Sequence, residues 1–214
     1  MYLNGNNLNG FIPMNIGNLS KVVVLYLFNN SLSGTIPESI GNCSKLQELY
    51  LGGTQLVGVL PQRLNNLQNL IYLDVSLNSL HGVIHLGSSN CKNLNILDLS
   101  FNSFSGGLPP GLANCSSLTE LVVVHSNLTG AIPSSLGSLD HLLKLDLSEN
   151  HLSGKIPPEL GKCKSLQRLL LYDNQLNGEI PSELGMLSEL QDLELFINYL
   201  TGEIPISIWR IPSL

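Results

Sequence analysis

Residues 142–165 read LLKLDLSENHLSGKIPPELGKCKS, and the same sentence recurs with a step of 24 residues along nearly the whole chain. Stepping from Val22 lands on Leu46, Leu70, Leu94, Leu118, Leu142, Leu166, Leu190 and Leu214, with no insertion or deletion to break the register. Eight full units occupy residues 22–213, and residues 1–21 form a ninth that lacks its first three positions. A fixed period of this length marks a solenoid, in which no unit can bury its own apolar face and neighbours supply the core.

Each column of the repeat has a physical task. The alternating leucines of L-x-x-L-x-L predict a short strand with one buried face, so successive units stack into a parallel sheet. Asn6, Asn30, Asn78, Asn102, Asn150, Asn174 and Asn198 fall where the chain turns inward, and a buried amide there predicts a ladder of hydrogen bonds between units. Thr54 and Ser126 replace it twice, with less hydrogen-bonding capacity. A glycine four residues further on is present in all nine units and suits positive φ or close backbone approach. The proline that follows in eight of nine units, with His85 the exception, keeps the convex side from becoming fully helical. The fold class expected is an α/β solenoid with its parallel sheet on the concave face, forming one domain over residues 1–214.

L-x-G-x-I-P after the asparagine column is the mark of the plant-specific leucine-rich repeat class. Segments such as LDLSENHLSGKIPPELG and LFNNSLSGTIPESIGNCSKL resemble the ectodomains of plant leucine-rich repeat receptor kinases. The irregular stretches NSLHGVIHLGSSNCKNLNILDLS, SFSGGLPPGLANCSSL and LVVVHSNLTGAIPSSLG resemble, more narrowly, the receptors for plant elicitor peptides. That resemblance implies a serine/threonine receptor kinase of the plasma membrane, with the repeats on its extracellular face. Its concave surface would bind a peptide in defence signalling and recruit a co-receptor kinase. No signal peptide, cysteine-paired cap, membrane helix or kinase is legible in the 214 residues, so an uncapped piece of a longer receptor is expected. The rival reading is a secreted inhibitor of a pathogen enzyme, like the polygalacturonase-inhibiting proteins.

Composition narrows the partner. A formal net charge of -6 argues against nucleic acid, whose phosphates call for a Lys/Arg surplus. No run of residues is long and apolar enough to suggest direct membrane contact. The solvent-facing strand columns hold nine acids (Glu48, Asp74, Asp98, Glu120, Asp146, Glu149, Asp173, Asp192 and Glu194) against the two bases Lys144 and Arg168. An acidic face of this kind attracts a cationic peptide or protein. Aromatic residues gather in the same columns: Tyr2, Tyr26, Phe28, Tyr50, Tyr72, Phe101, Tyr172 and Phe196. With His125 these give the candidate binding residues: Tyr26, Phe28, Tyr50, Tyr72, Phe101, Glu120, His125, Glu149, Arg168, Tyr172, Asp173, Asp192, Glu194 and Phe196. Nine strands make a face about 40 Å long, enough for an extended peptide of about 12 residues.

Neither a catalytic constellation nor a metal-binding or cofactor-binding motif is legible. Cys43, Cys91, Cys115 and Cys163 share one column, where other units carry leucine or isoleucine, and are expected to be four buried free thiols. Only Cys91 and Cys115 stand in adjacent units. Asn-x-Ser/Thr sequons at Asn18, Asn29, Asn42, Asn114 and Asn127 are candidate glycosylation sites.

Overall fold

The computed structural model describes residues 1–87 and 91–214. Eight strands pair in parallel on the concave side: Val24–Tyr26, Glu48–Tyr50, Tyr72–Asp74, Ile96–Asp98, Glu120–Val122, Lys144–Asp146, Arg168–Leu170 and Asp192–Glu194. Their register follows the repeat, with Leu145 opposite Leu121 on one side and Leu169 on the other. The first, fourth, sixth and eleventh columns point inward, so Leu142, Leu145, Leu147 and Leu152 are sealed from solvent.

After L-x-G-x-I-P the chain makes short 3-10 turns, such as Glu38–Asn42 and Pro158–Lys162, rather than α-helix. A proline fixes the extended residue before six of these turns, as Pro157 does at φ -66° and ψ 126°. Glycine inside these turns allows the units to close up: a Cβ on Gly161 would lie 2.3 Å from the Glu183 carbonyl oxygen. The helical part of the expected α/β class therefore consists of eight 3-10 turns of three to five residues among the described residues.

A second set of strands lies on the flank, which the leucine pattern does not announce. Asn9–Phe11, Ser31–Thr35, Gln55–Gly58, Ser79–Val83 and Ser103–Ser105 form one sheet. Thr129–Gly130, His151–Gly154, Gln175–Glu179 and Tyr199–Thr201 form another. The glycines that recur once in every unit run along them at positive φ, as at Gly154 (78°). Flank partners are 22 residues apart (Gly10 opposite Leu32), whereas concave partners are 24 apart.

The asparagine ladder joins the two faces. Asn174 Nδ2 donates to the Leu171 carbonyl of its own unit at 3.2 Å and to the Leu147 carbonyl of the preceding unit at 3.0 Å. Its Oδ1 accepts the Leu152 N–H at 2.9 Å. The same three-way bridge recurs at Asn30, Asn102 and Asn198. Ser126 offers only a hydroxyl, which donates to the Leu99 carbonyl at 3.1 Å. The flank sheet is interrupted at this unit, between Ser103–Ser105 and Thr129–Gly130. Asn150 compensates by accepting two N–H groups, from Ser126 and Leu128, at 3.0 Å each.

The cysteine column corrects one expectation. Cys91 and Cys115 form a disulfide, their Cα atoms 4.7 Å apart. Parallel side chains aimed into a core seldom meet disulfide geometry, but adjacent units bring these Cα atoms within bridging range. Cys91 is also drawn partly out of the core, being half-exposed. Cys43 and Cys163 remain buried thiols, as expected, because neither has a cysteine in the unit next to it. Burial raises both thiol pKa values, that of Cys163 to about 11 with help from the Asp140 charge. Their S–H groups point to the Ile16 and Leu136 carbonyls of the preceding unit.

Two outcomes follow from this packing. Thiol titration of the unfolded, unreduced protein should find two reactive groups, rising to four after reduction. Asn150→Ala should leave the Ser126 and Leu128 N–H groups unsatisfied in the core and destabilise the protein by about 3 kcal/mol, read as a lower urea midpoint.

Candidate functional site

The concave columns present their side chains in two main groups. At one end Tyr26, Phe28, Tyr50 and Tyr72 form a continuous aromatic cluster with Tyr2, successive ring centroids lying 4.7–6.3 Å apart. All but Tyr2 are half-buried, because each ring leans on its neighbours across the strands. The Tyr26 phenol donates a short hydrogen bond to the Glu48 carboxylate. That bond, with burial and the Glu48 charge, pushes the Tyr26 pKa up to about 12.

In the middle of the face Phe101 and His125 lie with rings 5.7 Å apart. His125 Nδ1 is 3.3 Å from a Glu149 carboxylate oxygen. The other Glu149 oxygen accepts from the Tyr172 hydroxyl at 3.4 Å. Tyr172 stacks on Phe196 with centroids 4.6 Å apart and planes within 4°. His125, Glu149, Tyr172 and Phe196 thus make one linked group spanning four units. Arg168 donates from Nε to Asp192 at 2.7 Å beside it. Glu194 lies half-buried on the last concave strand and Glu120 half-buried on Glu120–Val122, between the two aromatic regions.

Acid count therefore overstates free charge on this face. Asp192 is offset by Arg168 and Asp146 by Lys144 at 3.2 Å. Asp74, Asp98 and Asp146 accept the N–H two residues ahead, which ties them to the strand ends. Burial raises the Asp98 pKa against the pull of its Ser100 hydrogen bonds. The acid that remains most available is Asp173, which is exposed.

Column eight explains how the rim of the face is built. Asn29, Leu77, Phe101, His125, Glu149, Asp173 and Ile197 all occupy the left-handed backbone region, with φ between 48° and 56°. Bulky residues seldom adopt it. All but Ile197, in the last unit, are held there because each turns the chain under the ladder while its N–H bonds to the next unit, as from Asp173 to Phe196 O at 3.0 Å. Beside this column lies an open trough of about 760 Å³ running from Asn102 to Tyr199. It is lined by His125, Glu149 and Asp173 from column eight and by Asn127, His151, Gln175 and Tyr199 from column ten, with ladder asparagines between. Sequence reasoning missed His151, Gln175 and Tyr199 as binding candidates. The signal available was their column, which is exposed between the ladder asparagine and the inward-facing leucine in each of these units.

The five sequon asparagines are exposed. Asn18, Asn42 and Asn114 close 3-10 turns on the convex side. Asn29 sits on the rim, and Asn127 lines the trough with its Nδ2 donating to the Phe104 carbonyl at 3.1 Å.

The repeating strand, ladder and turn define a leucine-rich repeat protein. The leucine-rich repeat model matches residues 116–176, and the single-unit model matches 21–43, 45–67 and 93–115. The chain belongs to the leucine-rich repeat family. No curated protein sequence matches it. Among solved structures, PEPR1 in complex with AtPEP1 is 59% identical over all of this chain and 30% of its own, with a TM-score of 0.99. The ectodomain of the Arabidopsis receptor kinase HAESA, in complex with an extended IDA peptide hormone, is 38% identical over all of this chain and 36% of its own, at 0.92. A plant ice-binding protein is 30% identical over 96% of this chain and 74% of its own, at 0.77. The chain thus spans about a third of the receptor ectodomains it resembles.

The Tyr26–Glu48 bond is open to titration. Tyrosinate absorbance should show Tyr26 ionising near pH 12, and Glu48→Gln should bring it back toward 10.0. The folded value lies above the unfolded one, so the linked stability is intact below pH 10 and lost as pH rises toward 12.

Proposed function

We propose that this chain is a ligand-binding segment of the extracellular domain of a plant receptor kinase, and that it holds an extended, Lys/Arg-bearing peptide along its concave face. The observation that carries the reading is 59% identity, over the entire chain, to the ectodomain of PEPR1 in its complex with AtPEP1. The face itself suits the task. Aromatic clusters at both ends supply apolar anchors, and exposed or half-buried carboxylates stand beside them. The Cys91–Cys115 disulfide suits an oxidising, extracellular setting. A co-receptor kinase is the partner expected for the whole receptor, since HAESA has been solved with both IDA and SERK1. The binding segment itself does no chemistry in this reading.

Binding of AtPEP1 to the chain, measured by calorimetry at low and physiological salt, tests the proposal. Single exposed charge pairs contribute about 0.2–1 kcal/mol each. Reversing Asp173, Asp192 and Glu194 to lysine together should therefore weaken binding by about tenfold at low salt. The loss should shrink as salt screens the face. Unchanged affinity at low salt would remove the acidic patch from the site.

A further inference from the structure

The trough beside the asparagine ladder has two unlike walls. Its inner wall is column eight, where left-handed backbone aims His125, Glu149 and Asp173 at the rim. Its outer wall is column ten, where His151, Gln175 and Tyr199 are exposed on the flank strands. The ladder amides between the walls are already engaged. Asn150 donates to Val123, Leu147 and Ser148 carbonyls and accepts two N–H groups, so it has little left for a ligand. Polar recognition in the trough must come from its walls.

We propose that this trough is the track along which the basic stretch of the peptide lies, with His151, Gln175 and Tyr199 as specificity-determining contacts outside the concave strands. The proposal rests on the peptide-binding reading above. A chain crossing the units meets a new wall residue every 4.8 Å or so, against about 3.3 Å per extended residue. The span from the His125 unit to the Tyr199 unit thus takes about four peptide residues. Within it, Glu149 and Asp173 offer carboxylates to guanidinium or ammonium groups on one side. On the other, the Gln175 amide and the His151 ring can bond to peptide main-chain groups, and Tyr199 offers an aromatic face to a cation. Charge selection comes from one wall and backbone alignment from the other.

The track also bears on modification. A glycan on Asn127 would stand in the trough, so binding-competent protein should carry this sequon bare while the convex sites remain free to be modified.

Bulky substitutions separate this track from the rest of the face. His151→Trp and Gln175→Trp should each weaken AtPEP1 binding by about tenfold. Gln191→Trp, an exposed position at the opposite edge of the concave sheet, should change it by no more than about twofold. The double variant Gln175→Ala/Tyr199→Ala, which removes contacts without adding bulk, should act in the same direction as the tryptophans. Far-UV circular dichroism should match the unaltered chain throughout. Binding that the trough variants leave unchanged, or that Gln191→Trp weakens as much, overturns the track and leaves the peptide reading standing. So does a glycan found on Asn127 in the fraction that binds. An unaltered chain that does not bind AtPEP1 overturns the peptide reading and the track together.

Discussion

A buried amide with four hydrogen-bonding sites lies under every regular turn of this array. A carbonyl and an N–H from two successive units must be satisfied where the chain leaves the concave sheet, out of reach of water. Asparagine is short enough to fit and carries both donors and an acceptor. Because Asn174 grips the Leu147 carbonyl and the Leu152 N–H of the unit before it, each unit is fixed by its successor as much as by itself. Leucine packing supplies the larger share of the free energy, but it is non-directional. Register comes from the ladder.

The consequences of weakening it appear in one place. Where Ser126 takes the asparagine position, the flank sheet divides, and the doubled glycine Gly106–Gly107 lies at the same junction. The concave sheet passes through unbroken, with Glu120, Leu121 and Val122 paired on both sides. The disulfide ties the two units just before this junction, so a covalent link lies close to the point where the hydrogen-bond network is thinnest. Column eight tells the complementary story. Its residues accept an unfavourable backbone region, with a cost of order 1–3 kcal/mol each, because the ladder and the inter-unit N–H bonds hold them there.

Much of this was legible in the sequence because the repeat compares each unit with its neighbours. The concave strands, the ladder, the positive-φ glycines and the outward-facing aromatics all follow from column and alternation. What was not legible depends on distances between side chains. Cys91 and Cys115 share a column with Cys43 and Cys163, yet only the first two have each other one unit away, and pattern alone assigns all four to the core. The acids were counted correctly, but Asp192 against Arg168 and Asp146 against Lys144 are neutralised pairwise, which no charge tally reveals. The trough was missed because its outer wall is made of five different residue types, Ser103, Asn127, His151, Gln175 and Tyr199, and a column that varies so freely looks like ordinary surface.

The two registers of the fold have a geometric result. Concave partners are 24 residues apart, the same as the repeat, while flank partners are 22 apart. The operation that carries one unit onto the next therefore slides the flank by two residues, about 6.6 Å, while leaving the concave strands level. Stacking of this kind cannot stay planar, and it winds the array into a spiral staircase. Matching side chains on distant steps then face in different directions. A rigid, flat-sided protein could touch only a few steps at once. A flexible strand can follow the turning stair from one step to the next.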